Sequence, residues 1–154
     1  MYARAMCALI MAIAITVALP GSARAQDDND EAIAGAMAAL DEFMRTFNSR
    51  DMVAWAASLN YPHIRLASGE VTIWESAEEF ARGSTFQNLA RSGWDHSHWL
   101  TRTVTLVSPD KVHVDTVFQR FNSDHEPIGT YESLYIVTRV NGHWGTQLRS
   151  SLAP

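Results

Sequence analysis

From residue 30 onward the apolar positions recur as they do on a helix. Ile33, Met37, Leu40, Met44 and Phe47 follow one another at steps of four, three, four and three, which predicts an amphipathic helix from about Asp30 to Asn48. Asn48 or Ser49 then supplies a cap for a second, short helix in which Met52, Trp55, Ala56 and Leu59 share a side. Tyr61-Pro62 is expected to end it, because the residue before a proline is biased away from the helical region. His63 to Leu66 and Glu70 to Trp74 read as two short strands around an Ala67-Ser68-Gly69 turn. Ser76-Ala77-Glu78-Glu79 has the form of a capping box, so a third helix is expected to reach about Arg91, with Gly83 weakening its middle and Gly93 suited to its end.

Beyond Gly93 the period changes. Residues 96 to 107, 111 to 121, 129 to 140 and 143 to 151 are rich in Val, Thr, Ile, Phe, Tyr and Trp. Between them stand Ser108-Pro109-Asp110, Asn122 to Pro127, and Asn141-Gly142, all turn signals with known backbone mechanics. Helices first and strands after them predict an α+β domain, with about three N-terminal helices on one face of a curved, mostly antiparallel sheet.

The N-terminus is read separately. MYARAMCALIMAIAITVALPGSARAQ has a basic Arg4, an apolar run from Met6 to Leu19, then Pro20-Gly21 and Ala23-Arg24-Ala25. This is the layout of a secretory signal peptide cleaved after Ala25. The apolar run is shorter than the roughly 20 residues that a spanning helix needs. The expected organisation is therefore a signal peptide over 1–25, an acidic flexible lead over 26–30 and one domain over 31–154, in the periplasm or secreted, with no membrane anchor after cleavage. Cleavage removes Arg4 and Arg24, so the basic residues fall from 12 to 10 against 17 acids, and the net charge moves from -5 to -7. With no basic stripe, nucleic acid is not expected as a partner. The one cysteine, Cys7, would leave with the signal, which excludes disulfides and thiolate metal sites in the mature chain.

The order of elements, with "LNYPHIRLASGEVTIW" between the second and third helices and "TYESLYIVTRVNGHWGTQLRSS" at the end, resembles the nuclear transport factor 2-like superfamily. That superfamily includes ketosteroid isomerases, SnoaL-like polyketide cyclases, limonene epoxide hydrolases and scytalone dehydratases. The resemblance spans about residues 30 to 152. It implies a cone with a pocket between the concave face of the sheet and the helices, and homodimers that pair sheet to sheet. It transfers no catalytic residue: the isomerases' carboxylate base opposite a Tyr and acid pair has no counterpart placed here. Asp95, Arg102 and Asp115 supply the residue types of the epoxide hydrolases without a matching spacing.

Candidate chemistry concentrates in "GWDHSHW", residues 93 to 99. On a regular strand alternate residues share a face, so Trp94, His96, His98, Leu100, Val104 and Leu106 would point one way. As the more apolar set they are expected inward, which aims His96 and His98 into the cone. Three readings stay open for the pair: the wall of a pocket, ordinary strand histidines, or two ligands of a metal completed by His63, His113 or Asp115. No metal and no cofactor is assigned. His63, after Tyr61-Pro62, is a candidate general acid or base at the cone's mouth, with His98 as a second; the alternative is a histidine that bonds a carbonyl and holds the turn. Trp74, Trp94, His96, Tyr131 and Arg149 are the candidate ligand-binding residues. Tyr135 could pack under the first helix, and Arg149 could pair with Glu132. His113 and Asp115 fall on the face expected to meet solvent or a second copy.

Two functions follow. One is an exported pocket domain that binds a small apolar organic ligand, open to His-assisted isomerase, dehydratase or cyclase chemistry. The other is a non-catalytic homodimerisation or protein-interaction module.

Overall fold

The computed structural model describes residues 20–154, with side chains from residue 26 onward. The apolar run and the cleavage-site side chains of the expected signal peptide lie outside the described residues. Helix α1 spans Pro20–Ser49 and starts earlier than the apolar stripe predicts. Residues 26 to 30, expected as a flexible lead, form exposed or half-exposed helical turns in it, since nothing after Gly21 breaks a helix until Gly35. The face that meets the sheet carries Ala32, Ala36, Ala39, Leu40, Phe43, Met44 and Phe47, rather than Ile33 and Met37, which are half-buried. Gly35 faces Trp144 at so short a distance that a Cβ would overlap the indole. Small residues at this end let the helix lie against the strands.

Helix α2 (Met52–Ala57) is capped by Asp51, whose carboxylate accepts from the amides of Val53 and Ala54. The cap is thus Asp51 rather than Asn48 or Ser49. Strand β1 (Leu59–Ala67) follows immediately and runs through Tyr61-Pro62, which is a cis peptide. The proline interrupts pairing instead of preceding the strand: the β1 ladder breaks between Leu59 and Ile64, where Pro62 has no amide to donate. Strand β2 (Glu70–Trp74) pairs back on β1 across a Ser68-Gly69 turn with positive φ at both residues.

The expected third helix is two. α3 (Ala77–Ala81) has the Ser76 cap, with Glu79 donating its amide to Ser76 Oγ and its carboxylate accepting from the amide of Glu75. α4 (Thr85–Arg91) follows after a break at Gly83. Then come β3 (His96–Ser108), β4 (Lys111–Phe121), β5 (Pro127–Val140) and β6 (His143–Ser151).

The six strands form one sheet in the order β2-β1-β6-β5-β4-β3. All neighbours are antiparallel except β1 and β6. That parallel join closes the chain on itself, placing the first strand beside the last. The helices pack on one face, against Val112, Val114, Thr116 and Phe118 of β4 and Ser133, Tyr135 and Val137 of β5, all buried. Below them Phe43, Phe47, Trp55, Phe80, Phe86 and Trp94 form a contiguous aromatic cluster with ring centroids 4.8 to 6.2 Å apart. Such contacts add about 0.5–1.5 kcal/mol each beyond the area buried.

Strand β3 departs from the expected alternation. Ser97 is fully buried and exchanges two hydrogen bonds with Asn48 at the end of α1, and Trp99 Nε1 donates to the carbonyl of Leu40. The ladder to β4 then slips between Trp99 and Thr101. Beyond the bulge Arg102 reaches α1, donating to Asp41 and to the carbonyl of Met37. His96, His98 and Leu100 point away from the helices, the reverse of the expectation, because Ser97 and Trp99 take the inward phase. The bulge at Leu100 moves only the side chains after it to the other face, which brings Arg102 and Val104 inward.

Candidate functional site

Between α1 and the inner face of the sheet lies a narrow crevice of about 10 Å³ walled by Phe43, Met44, Phe118, Tyr135, Arg120 and Arg149. That is room for about one water. The strand period explains who stands there. The inward phase of β4 continues past Val112, Val114, Thr116 and Phe118 to Arg120, which is 8% exposed. Arg149 of β6 lies opposite Tyr135 of β5 on one side and Arg65 of β1 on the other. Three guanidinium-bearing side chains thus occupy the inner face on strands far apart in the chain.

Their surroundings are aromatic. The Arg120 guanidinium sits 4.8 Å from the Tyr131 ring centre and 5.9 Å from that of Phe118. The Arg149 guanidinium lies 6.0 Å from Phe43 and 5.8 Å from Tyr135, and donates to the Tyr135 hydroxyl at 3.3 Å. Burial pulls Arg120 below its usual value, with Arg149 adding to the effect against a favourable interaction with Tyr131; Arg65 is lowered by burial, then by Arg149 and Arg120. Arg120 Nε, Arg149 Nε, Thr146 Oγ1 and Trp55 Nε1 are buried with no hydrogen-bond partner among the described residues. Unpartnered buried donors are uncommon in folded proteins.

His63 borders this region and is 3% exposed. Its ring lies between Trp74 and Phe80, with centroids 5.7 and 5.6 Å away, and Nδ1 is 3.1 Å from the carbonyl oxygen of Thr146. A carbonyl can only accept, so Nδ1 carries the proton. Burial drives the imidazole down to about 4, opposed by the Thr146 bond and assisted by the charges of Arg149 and Arg65. His63 is therefore neutral at pH 7, and it holds β1 to β6.

The other sequence candidates divide between two faces. Tyr131 and Arg149 belong to the crevice. Trp94, 4% exposed, is spent in the aromatic cluster, with Nε1 donating to Ser97 Oγ and the Arg50 guanidinium over its ring; Trp74 packs on His63 and Phe80. His96 and His98 are neighbours, 5.0 Å between ring centres, and both contact Phe121 on the face away from the helices. His125 joins them at 5.2 Å from His96, and Asp95 accepts from His96 Nδ1. His63 and His98 thus do not share a site. Among the described residues no group of three His, Cys, Asp or Glu side chains is arranged to hold a metal ion. Arg149 pairs with Tyr135 rather than with Glu132. Arg65 and Arg120 were missed by sequence reasoning. The signal was present, since both continue inward phases: His63, Arg65, Ala67 on one strand, and Val112 to Phe118 on the other.

The outer face carries a shallower, open groove of about 340 Å³ lined by Thr101, Thr103, Asp115, Glu132, Leu134 and Leu152, among others. It is the larger hollow, but its two carboxylates face solvent, and the hydroxyls of the buried Thr116 and Ser133 beside it are already hydrogen-bonded within the sheet. The chemistry lies on the other side of the sheet.

Residues 30–146 match the family described as NTF2-like protein (DUF6841). Among solved structures the chain is similar to an NTF2-like protein with a cystatin-like fold from Novosphingobium aromaticivorans (TM-score 0.64, 15% identity, 90% of this chain and 91% of that chain). It is also similar to a ketosteroid isomerase-like protein from Erwinia carotovora atroseptica (TM-score 0.60, 19% identity, 81% and 99%). A third is a Catenulispora acidiphila protein solved in complex with S-DNPA (TM-score 0.63, 11% identity, 80% and 93%). No curated protein sequence matches. At these identities the likeness establishes the fold.

Proposed function

The chain belongs to the NTF2-like protein family (DUF6841), and from that premise we propose that it is an exported small-molecule-binding domain whose ligand enters the crevice between α1 and the inner face of the sheet. The observation that carries this reading is the set of buried, unpartnered polar atoms on that face, Arg120 Nε and Arg149 Nε foremost, set among aromatic walls. A few converging polar groups in an apolar hollow are the general form of a ligand site. The fold neighbour in complex with S-DNPA supports the same reading. The crevice is small without a ligand, so binding requires the unbranched Met44 and the half-buried Arg149 to move aside; both have several rotatable bonds.

The function proposed is binding, with no reaction assigned. His63 is neutral and its Nδ1 is occupied by Thr146, and no carboxylate is among the groups that perturb it. The test is native mass spectrometry of protein purified from the periplasm of an expressing bacterium. A retained small molecule, released on denaturation, is the expected result, and a mature N-terminus at Gln26 accompanies it if the leader is processed as expected. Protein that is always empty, and whose melting does not respond to a library of small aromatic compounds, refutes the reading.

A second reading, a homodimer through the outer face, is favoured by one observation. Leu100, Leu106 and Leu152 are each more than half exposed on or beside that face. Sedimentation equilibrium tests it: a monomer at all concentrations removes it. The two readings use opposite faces and can both hold.

A further inference from the structure

Resting on the small-molecule reading above, we propose that the ligand is an organic anion, whose carboxylate or phosphate oxygens are taken by Arg120 and Arg149, with Arg65 alongside, and whose flat apolar body lies against Phe118, Tyr131 and Phe43.

The argument begins with how this chain treats its other arginines. Of the six others with described side chains, Arg45, Arg50, Arg102 and Arg139 are within ion-pair distance of a carboxylate, namely Glu42, Asp95, Asp41 and Glu31, while Arg82 and Arg91 are exposed to water. All six lie at the surface or reach it. Arg65, Arg120 and Arg149, the more enclosed set, form no ion pair among the described residues. Scarcity of acids is not the reason, because the protein has 17 acidic residues against 12 basic ones. Positive charge has been gathered where the acids are not.

The arrangement is also unfavourable by itself. Arg65 and Arg149 stand directly beside one another on adjacent strands, a placement that like charges destabilise. Aromatic faces attract a guanidinium without neutralising it. A structural arginine would snorkel its head into water, yet Arg120 is 8% exposed and its Nε has no acceptor. The Nε of Arg149 is in the same state. An Nε and the Nη beside it form the planar fork that a carboxylate or phosphate meets with two parallel bonds. Two such forks open at one crevice, flanked by the Tyr135 hydroxyl, and an oxyanion satisfies both deficits together: it supplies the missing negative charge and the missing acceptors.

The test titrates the purified protein calorimetrically with benzoate, benzamide and phenyl phosphate, in a chloride buffer free of other oxyanions. Benzoate and benzamide share shape and differ in charge, while phenyl phosphate distinguishes a phosphate site from a carboxylate site. One equivalent of benzoate or phenyl phosphate is expected to bind at least tenfold more tightly than benzamide, with affinity falling as salt rises. Arg120→Met and Arg149→Met should each weaken the anion at least tenfold and change benzamide binding by a much smaller factor. Arg120→Lys, which keeps the charge and loses the fork, should fall between. Near-ultraviolet circular dichroism of the tryptophans verifies the fold of each variant. Benzamide binding as well as benzoate overturns the anion and leaves the pocket standing. Anion binding unchanged in Arg120→Met and Arg149→Met overturns the assigned place. Failure of all three probes overturns the pocket and the anion with it.

Discussion

Replacing Arg120 by methionine should make the ligand-free protein more stable, against the usual effect of a substitution at a buried position. The side chain is 8% exposed and meets no carboxylate among the described residues. Taking one ion out of water costs several kcal/mol even after relaxation and some access of water. Against this stand the contacts with Tyr131 at 4.8 Å and Phe118 at 5.9 Å, worth about 2 kcal/mol together when shielded from solvent. Repulsion from Arg149 acts on the same side as desolvation. Methionine keeps most of the unbranched stem, so little volume is lost and no carbonyl is left without a donor. The balance is a gain of about 1–2 kcal/mol, within the range found when buried ionic groups are replaced by apolar ones. For a domain of this size that raises Tm by about 3–8 °C. Urea and thermal melts followed by circular dichroism, at pH 7 in chloride buffer, measure it. A variant that folds with native near-ultraviolet signals yet loses 1 kcal/mol or more would refute the reasoning, because the guanidinium would then be a structural strut rather than an unsatisfied charge.

The remaining predictions concern the frame around the crevice. His63 binds its proton at about 4 in the folded chain and at about 6.5 when unfolded; the unfolded chain therefore takes up the proton first as pH falls. Stability should be whole above pH 6.5, be lost on going down to pH 4 by on the order of 3 kcal/mol, and stop falling through this group below that. His63→Asn, which can still donate to Thr146, should flatten the decline in melts from pH 7 to pH 4, and an equal decline would remove His63 as its source. Asn48→Ala strips both backbone groups of Ser97 of their partner and should destabilise by about 2 kcal/mol in urea unfolding. Gly35→Val pushes a side chain into the Trp144 indole and should destabilise by about 2 kcal/mol, with a change in tryptophan fluorescence; a neutral result would mean that α1 can lift from β6 at no cost.

Much of the fold was legible because its signals are local. Asn141-Gly142 ends one strand and starts the next at the residues expected, with both at positive φ, and β4 starts after Pro109-Asp110 as expected, with β3 running one residue further, to Ser108. Ser76 and Glu79 make the capping contacts that their spacing predicts, and Gly83, read as a weak point, is where the third helix divides. The α+β class and the NTF2-like family follow from the order of such elements. The candidate site was much less legible. "GWDHSHW" drew attention through its residue types, and a regular strand would have aimed its histidines into the cone. The contacts of Ser97 and Trp99 with α1 make theirs the inward phase and leave the histidines between them facing outward; the bulge at Leu100 acts only on the residues after it.

What the sequence by itself determined is the kind and order of the elements and which family the chain joins, because caps, turns and hydrophobic periods act over a few neighbouring residues. What only the tertiary structure decided is which face each strand turns to the helices and what meets there. The parallel β1–β6 join places Arg65 beside Arg149, and the inward phase of β4 brings Arg120 to the same crevice. Those three arginines stand far apart along the chain. Phase and register are set by the packing of the whole sheet, so no local pattern could have shown that their charges converge.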